Sequence, residues 1–345
     1  MITPNSLLNR PRLISASVLL CACYLSNPAL AAENNELAVP MGVWGLDSAI
    51  LPLSGLYGQI IAPSYRADSV KDSSGKDFSF NKSIPGIAIP INGRVNARIK
   101  VDALVPKLVY VSEDPVFGGR IGSYIAVPLL NKSRDVTISV TTPLPLALQQ
   151  KISSEASHAA SGEKRGIGDV EVAGFIGWKF ESLSLVAAMN VDLPTGSFDR
   201  NSQVNLGLNS YSIRPLVSAA WSTESGFDVA ASISYNYSTA NRETNYKSGQ
   251  YIHAEYVGSY QFSNNFKGGI QGYYLQQTSD DKDPGNTTAL TLVGGNRARV
   301  SALGPIFSYQ TDDLKTQIDL KYLKEFSARA RPEGGLALVT LSRLF

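Results

Sequence analysis

From residue 166 to the C-terminus, the chain alternates apolar and polar residues over successive stretches of about ten residues, the length of a membrane-spanning strand. Within residues 227–238, Val229 and Ile233 fall on one face of an extended strand, while Asp228 falls on the other. Repeated strands with one apolar and one polar face are typical of a transmembrane β-barrel. A soluble β-sandwich would also alternate, but with strands nearer five or six residues, so the barrel is favoured.

Twelve segments of the chain have the length and alternation of strands. They are residues 56–65, 96–111, 120–129, 168–180, 182–192, 210–221, 227–238, 251–262, 266–276, 297–310, 314–326 and 336–345. A further apolar stretch, 136–142, is assigned to an outer loop, because an even number of strands returns both termini to the periplasm. Short connections alternate with long polar ones, as in outer-membrane barrels. The long connections are residues 66–95, 130–167, 193–209, 239–250 and 277–296.

The N-terminus carries the features of an exported protein. Two arginines precede an apolar run at 13–25, and small residues at 29–31 suit cleavage, so residues 1–31 are predicted to be a signal peptide. Cys21 and Cys23 both lie within it, which leaves the mature chain without a thiol for a disulfide, a zinc site or a nucleophile. The alternative is lipoprotein processing at Cys23.

Composition narrows the class of protein further. Without the two signal-peptide arginines, 29 basic residues balance 29 acidic ones, which argues against a nucleic-acid partner. Beyond the signal peptide, the sequence contains no apolar run of the roughly 18 residues that a transmembrane helix needs. The expected fold is therefore an all-β, antiparallel up-and-down transmembrane barrel of about 12 strands over residues 55–345. Residues 32–54 either plug its lumen or form a periplasmic segment.

The charged face of each strand should face the lumen, because a charge facing lipid at mid-bilayer costs about 2–4 kcal/mol. On this criterion Lys107, Lys324 and Arg343 would face lipid near strand ends. The predicted lumen-lining residues are Arg98, Lys100, Asp102, Arg214, His253, Glu255, Lys267, Tyr273, Arg297, Arg299, Phe307, Tyr309, Asp319 and Lys321. Their charges could form mutually satisfied pairs or an ordered polar path. Their aromatic rings could bind a hydrophobic solute or pack against a plug.

Several segments of the C-terminal half have a distinctive sequence. Gly168-Asp169 opens a strand, residues 191–199 read VDLPTGSFD, residues 241–255 read NRETNYKSGQYIHAE, residues 268–281 read GGIQGYYLQQTSDD, and residues 303–305 read LGP. These segments resemble the SphA-like branch of the outer-membrane protein family associated with phenol meta-cleavage pathways. The resemblance implies an outer-membrane barrel that carries hydrophobic or aromatic compounds, and it brings no established site residues. Arg343 departs from the usual final strand, where an aromatic residue is common.

Motifs for catalysis, metals and cofactors are missing from the sequence. The two histidines, His158 and His253, are not accompanied by a Gly-x-Ser-x-Gly elbow, and His253 is expected to make hydrogen bonds in the lumen. The acidic loop at 280–286 lacks the twelve-residue ligand spacing of a calcium loop, and no Walker-type loop is present. The sequence therefore predicts no catalytic residue, no metal and no cofactor.

Together these features predict an outer-membrane channel for passive uptake of small hydrophobic or aromatic compounds. The alternatives are a narrow channel for polar solutes such as nucleosides or saccharides, and an adhesive or structural barrel that acts through its outer loops. The expected partners are outer-membrane lipid and lipopolysaccharide, a small hydrophobic solute and, because the chain ends on Phe345, the barrel-assembly machinery.

Overall fold

The protein is described by a computed structural model over residues 41–43, 49, 53–83, 89–284 and 297–345. The predicted signal peptide lies outside these residues. Within them the chain forms fifteen strands and one helix. The elements are β1 (Gly55–Lys71), β2 (Ser79–Ser83), β3 (Pro90–Val116), β4 (Gly119–Ala126), β5 (Leu129–Thr141), α1 (Leu146–Ala160), β6 (Gly162–Ile167), β7 (Val170–Phe180), β8 (Leu183–Leu193), β9 (Ser212–Ser222), β10 (Phe227–Ser238), β11 (Tyr251–Gln261), β12 (Phe266–Gln277), β13 (Arg299–Gln310), β14 (Thr316–Arg329) and β15 (Arg331–Leu344).

The sheet closes on itself because β1 pairs with β15 on one side and with β3 on the other. In the described part of the chain, the ring consists of twelve antiparallel strands: β1, β3, β4 and β7 to β15. Closure pairs the backbone groups of every wall strand, so no strand edge is exposed to lipid. The predicted twelve-stranded barrel is confirmed.

Each wall strand buries one face inside the barrel and exposes the other. In β9, Arg214 and Leu216 are buried, whereas their neighbours Ile213 and Val217 are exposed. A soluble monomer seldom exposes so many large apolar side chains, but a barrel presents them to acyl chains. The short turns after β7, β9, β11 and β13 mark the periplasmic end, and the long connections mark the outer end.

One side of the wall continues beyond the outer rim. The 27-residue strand β3 pairs near its C-terminal end with β4, and along residues 92–104 with β5. Strand β6 then pairs with β5, and β2 pairs with the start of β3. The assignment of 136–142 to a loop, and of 130–167 to one long outer connection, is therefore wrong. The physical reason is that β3 runs past the bilayer and offers a free edge on which another strand can form.

Helix α1 covers the free edge of β5. Ser153, Ser157 and Ser161 are spaced by four residues and so lie on one side of the helix. Their hydroxyl oxygens accept hydrogen bonds from the amides of Val140, Ile138 and Val136 at 3.0, 2.8 and 2.9 Å. The helix thus satisfies the N–H groups that an exposed strand edge would leave unpaired.

Within the part of the chain that the structure describes, no helix combines the length and the apolar character that a bilayer crossing requires.

Candidate functional site: an apolar cavity inside the barrel

Half of the residues predicted to line the lumen do lie inside the barrel. They are Arg214, His253, Glu255, Lys267, Tyr273, Asp319 and Lys321. All of them come from β9, β11, β12 and β14. Where these strands cross the bilayer, charge marks the inner face, because only that face can hold it without contact with lipid.

The other predicted lumen residues lie elsewhere. On β3, the side chain of Arg98 is 66% exposed and pairs with Asp135, and Asp102 is 43% exposed and pairs with Arg66. Lys100 shares their outward face, which bears charge because this end of β3 has left the bilayer. Conversely, Lys107, predicted to face lipid, belongs to the inner face.

Strand β13 shows the same error. Ile306 and Ser308 are buried inside, so Phe307, at 59% exposure, and Tyr309, at 38%, point outward. Arg299 shares that outward face, and Arg297 precedes the strand in an exposed ion pair with Asp280. The prediction that these four residues line the lumen is therefore wrong. It took the two arginines as markers of the inner face, but at the outer end of β13 a charge does not mark that face.

Strands β11 to β15 bury carboxylates that are fully occupied by neighbouring donors. Glu325 accepts hydrogen bonds from the phenols of Tyr65 and Tyr273, both at 2.7 Å, and from Arg331 at 3.3 Å and the Gly334 amide at 2.7 Å. Such a carboxylate is stabilised in place by its donors and offers little to a solute.

Glu255 is occupied in the same way. It accepts hydrogen bonds from the Gly42 amide at 3.0 Å and from Gln271 at 2.9 Å, and Lys321 donates to Gln271 at 3.1 Å. His253 lies farther away, with Nε2 3.6 Å from a Glu255 oxygen.

A second ionic cluster lies inside the barrel, near the outer ends of β7, β8 and β9. Arg214 forms ion pairs with Glu171 and with Asp192, the latter at 3.2 Å. The phenol of Tyr124 donates to Glu171 at 2.5 Å, and the side-chain amide of Asn190 donates to the Arg214 carbonyl at 3.1 Å. The single positive charge of Arg214 is therefore shared between the two acids, and Tyr124 adds a hydrogen bond to Glu171.

Above this cluster is a cavity of about 380 Å³, a size suited to a small organic ligand. Most of its lining is apolar and comes from β1, β3, the β4–β5 junction and the connection between β8 and β9. The apolar residues are Met41, Val43, Ile61, Pro63, Ile99, Val101, Ala103, Val105, Ala126, Pro128, Leu130, Val204, Leu206, Leu208, Pro332 and Leu336. Sequence reasoning missed this group, because its members are far apart in the chain and the parity of β3 was inverted.

The β8–β9 connection is held over the cavity by the Gly168-Asp169 and LPTG segments. The Asp169 carboxylate accepts hydrogen bonds from the amides of Gly196 and Leu208, both at 2.8 Å, and Thr195 Oγ1 accepts one from the Val170 amide at 2.9 Å. A Cβ added to Gly207 would lie 2.4 Å from an Asp169 oxygen and 2.8 Å from Gly196, so glycine is required there. These segments therefore shape one wall of the cavity.

Met41, Gly42 and Ala49, which precede the first strand, also lie inside the barrel. Gly42, with φ +71°, donates its amide to Glu255 and packs so closely that a Cβ would lie 2.7 Å from Leu323 Cδ1. Met41 Sδ accepts a hydrogen bond from Arg331 at 3.4 Å, and Ala49 is fully buried among residues of β9 to β13.

The closed wall, its apolar outer belt and its occupied interior define an outer-membrane β-barrel. The fold is similar to that of the COG4313 outer membrane channel from Pseudomonas putida F1, at 13% identity and a TM-score of 0.66, over 90% of this chain and 100% of that chain. A Pseudomonas aeruginosa FadL homologue matches over 92% of this chain and 99% of that one, at 9% identity and a TM-score of 0.41. Only the first likeness is close enough to support a shared fold. No curated protein sequence matches the chain.

Residues 67–340 match the family described as "Putative MetA-pathway of phenol degradation". Because the match covers most of the chain, the protein belongs to this family.

Proposed function

We propose that this protein lets small hydrophobic or aromatic compounds cross the outer membrane passively, by way of the apolar cavity. The observation that carries the proposal is the cavity itself, because a water-filled pore for polar solutes would not be lined by valine, leucine, isoleucine and proline side chains. The description of the family as part of phenol degradation, and of the Pseudomonas putida protein as a channel, agree with it. The proposed transport needs no covalent chemistry.

The polar interior groups support a structural role better than a polar path. The carboxylates of Glu171, Asp192, Glu255 and Glu325 are each occupied by donors of the protein. A saccharide or nucleoside would have to displace those donors, at the cost of leaving buried charges unpaired. The channel for polar solutes is therefore the weaker alternative.

Two neighbouring substitutions on β3 test the proposal. Ala103→Trp would fill the cavity from its wall, whereas Leu104→Trp would place the same ring on the lipid-facing side of the same strand. We expect Ala103→Trp to reduce uptake of labelled toluene by cells that depend on this protein, and Leu104→Trp to leave uptake near the wild-type rate. Heat-modified gel mobility checks that both variants form the barrel. Equal uptake by both variants would refute the cavity as the route.

We also propose that residues 32–54 plug the lumen. Support comes from Met41, Gly42, Val43 and Ala49, which contact inner-face residues of the barrel. A periplasmic tail would not bury the Gly42 amide against Glu255. The channel would then have to rearrange these contacts to pass a solute.

For partners, we propose lipopolysaccharide at the outer rim. Lys100 lies opposite Arg66, Arg66 opposite Gly335, and Gly335 opposite Lys324, so three outward-facing cations form a row across four strands. They lie directly beyond the exposed apolar residues of these strands, where anionic headgroups would meet them, and Arg66 also pairs with Asp102. Replacing all three by glutamine should lower the lipopolysaccharide that co-purifies with the protein, and an unchanged amount would refute the contact.

The terminal Phe345, 74% exposed, is proposed as the contact for the barrel-assembly machinery. Deleting it should slow assembly without altering the stability of the folded barrel.

A further inference from the structure

Lys107 differs from the other charged residues of the barrel interior. It lies on the inner face of β3, lines the cavity and is only partly buried. Its Nζ is 3.6 Å from the centroid of the Tyr124 ring. Among the residues that the structure describes, this ammonium has no hydrogen-bond acceptor and no ion-pair partner.

The acids nearest to Lys107 are already occupied. Glu171 pairs with Arg214 and accepts from Tyr124, and Asp192 also pairs with Arg214. Lys107 contacts the ring face of Tyr124, whose hydroxyl donates its proton to Glu171.

Two other cations that line the cavity have acceptors within the protein. Lys132 donates to the Asn205 carbonyl at 3.0 Å, and Arg331 donates to Glu325 at 3.3 Å. Lys132 and Arg331 therefore have acceptors, whereas Lys107 has none among the described residues.

The missing acceptor is energetically significant. A cation–π contact stabilises an ammonium less than a hydrogen-bonded ion pair with a carboxylate does, so Lys107 can still gain from binding an anion. An anionic oxygen entering from the cavity would supply a charge-assisted hydrogen bond, while the apolar lining would bury the rest of the molecule.

We propose that Lys107 binds the carboxylate of an amphipathic cargo, so that the cavity selects small aromatic or aliphatic monocarboxylates over neutral compounds of the same shape. This inference rests on the proposed function and names its substrate class. A carboxylate fits better than an amine, because the basic residues that line the cavity outnumber the acidic ones and Lys107 has no ion-pair partner among the described residues.

The test uses three probes with the same ring and different heads: benzoate, benzyl alcohol and benzylamine. Binding to the purified full-length barrel in a non-ionic detergent is measured by titration calorimetry at neutral pH. The wild-type protein should bind benzoate at least about tenfold more tightly than benzyl alcohol, as expected for a hydrogen bond to a charged group. Lys107→Met should remove that preference and leave benzyl alcohol within about twofold of its wild-type affinity.

Two further variants make the test specific. Lys107→Arg keeps the charge and should retain the preference for benzoate. Lys132→Met removes a cavity cation that already has an acceptor, and should leave the preference unchanged. An equal loss in Lys132→Met would show that only the overall field matters, and tighter binding of benzylamine would show the opposite selectivity. Either result overturns the inference.

The inference and the proposed function can fail separately. If benzyl alcohol and benzoate bind equally, and Ala103→Trp abolishes both, the cavity remains a site for hydrophobic compounds and the role of Lys107 is refuted. If none of the three probes binds, both the role of Lys107 and the proposed function are refuted.

Discussion

The interior of the barrel has two unlike sides. Strands β11 to β15 pack buried tyrosines and leucines around Glu255 and Glu325, whose oxygens are occupied by protein donors. The side formed by β1, β3 and β4 leaves a cavity, with Lys107 directed into it without an acceptor among the described residues. Both sides are built from strands with the same alternation. The alternation of apolar and polar residues determines which face of a strand is internal. The partners of each buried charge then distinguish the packed side of the interior from the side with the candidate binding site.

The largest expected effect is on the packed side. Glu325→Ala removes the acceptor of four hydrogen bonds and leaves the Arg331 charge buried without its partner. We expect a loss of about 3–5 kcal/mol in the free energy of unfolding, measured by urea titration of the barrel in lipid vesicles. The adjacent Lys324→Ala, on the exposed outer face, should change stability by less than about 0.5 kcal/mol. Equal effects of the two substitutions would remove the distinction between packed interior and outer surface.

A smaller effect is expected at Gly42, which packs against Leu323 and Leu336 inside the barrel. Gly42→Ala adds a Cβ 2.7 Å from Leu323 Cδ1 at a backbone φ of +71°, so it should displace this segment at a cost of about 1–3 kcal/mol. If the segment plugs the lumen, the single-channel ion conductance in planar bilayers should rise.

Gly118→Ala is the matched control. Gly118 has nearly the same φ, +73°, but nothing lies within 4 Å of its added Cβ. It should show the backbone strain without the rise in conductance. An unchanged conductance in Gly42→Ala would contradict the plug.

The sequence predicts the barrel better than it predicts the site. In β10 and β11 every charge lies on the inner face, as in Asp228 and Glu255, because both strands are confined to the bilayer and lipid excludes charge from the other face. In β3 the same rule assigns the inner and outer faces the wrong way round. That strand is 27 residues long, and Arg98 and Asp102 sit on its outer face near the rim and beyond, where water or headgroups accept charge.

Other features depend on contacts between distant parts of the chain. Strand β5 forms because β3 offers an edge beyond the rim, and α1 docks there through Ser153, Ser157 and Ser161. The periodic serines were present in the sequence, but their target, a strand edge, was not. The surroundings of Lys107 likewise depend on distant strands, because the neighbouring acids Glu171 and Asp192 pair with Arg214.

The central claim, that hydrophobic compounds occupy the cavity beside β3, is tested most directly by protection of a single cysteine. Both native cysteines lie in the predicted signal peptide, so Ala103→Cys and Leu104→Cys can be labelled individually in outer-membrane vesicles. A water-soluble maleimide should modify the cysteine at 103, and toluene or benzoate should slow that reaction, while the cysteine at 104 should react poorly with or without the compound. A cysteine at 103 whose labelling is unaffected by either compound would contradict the account.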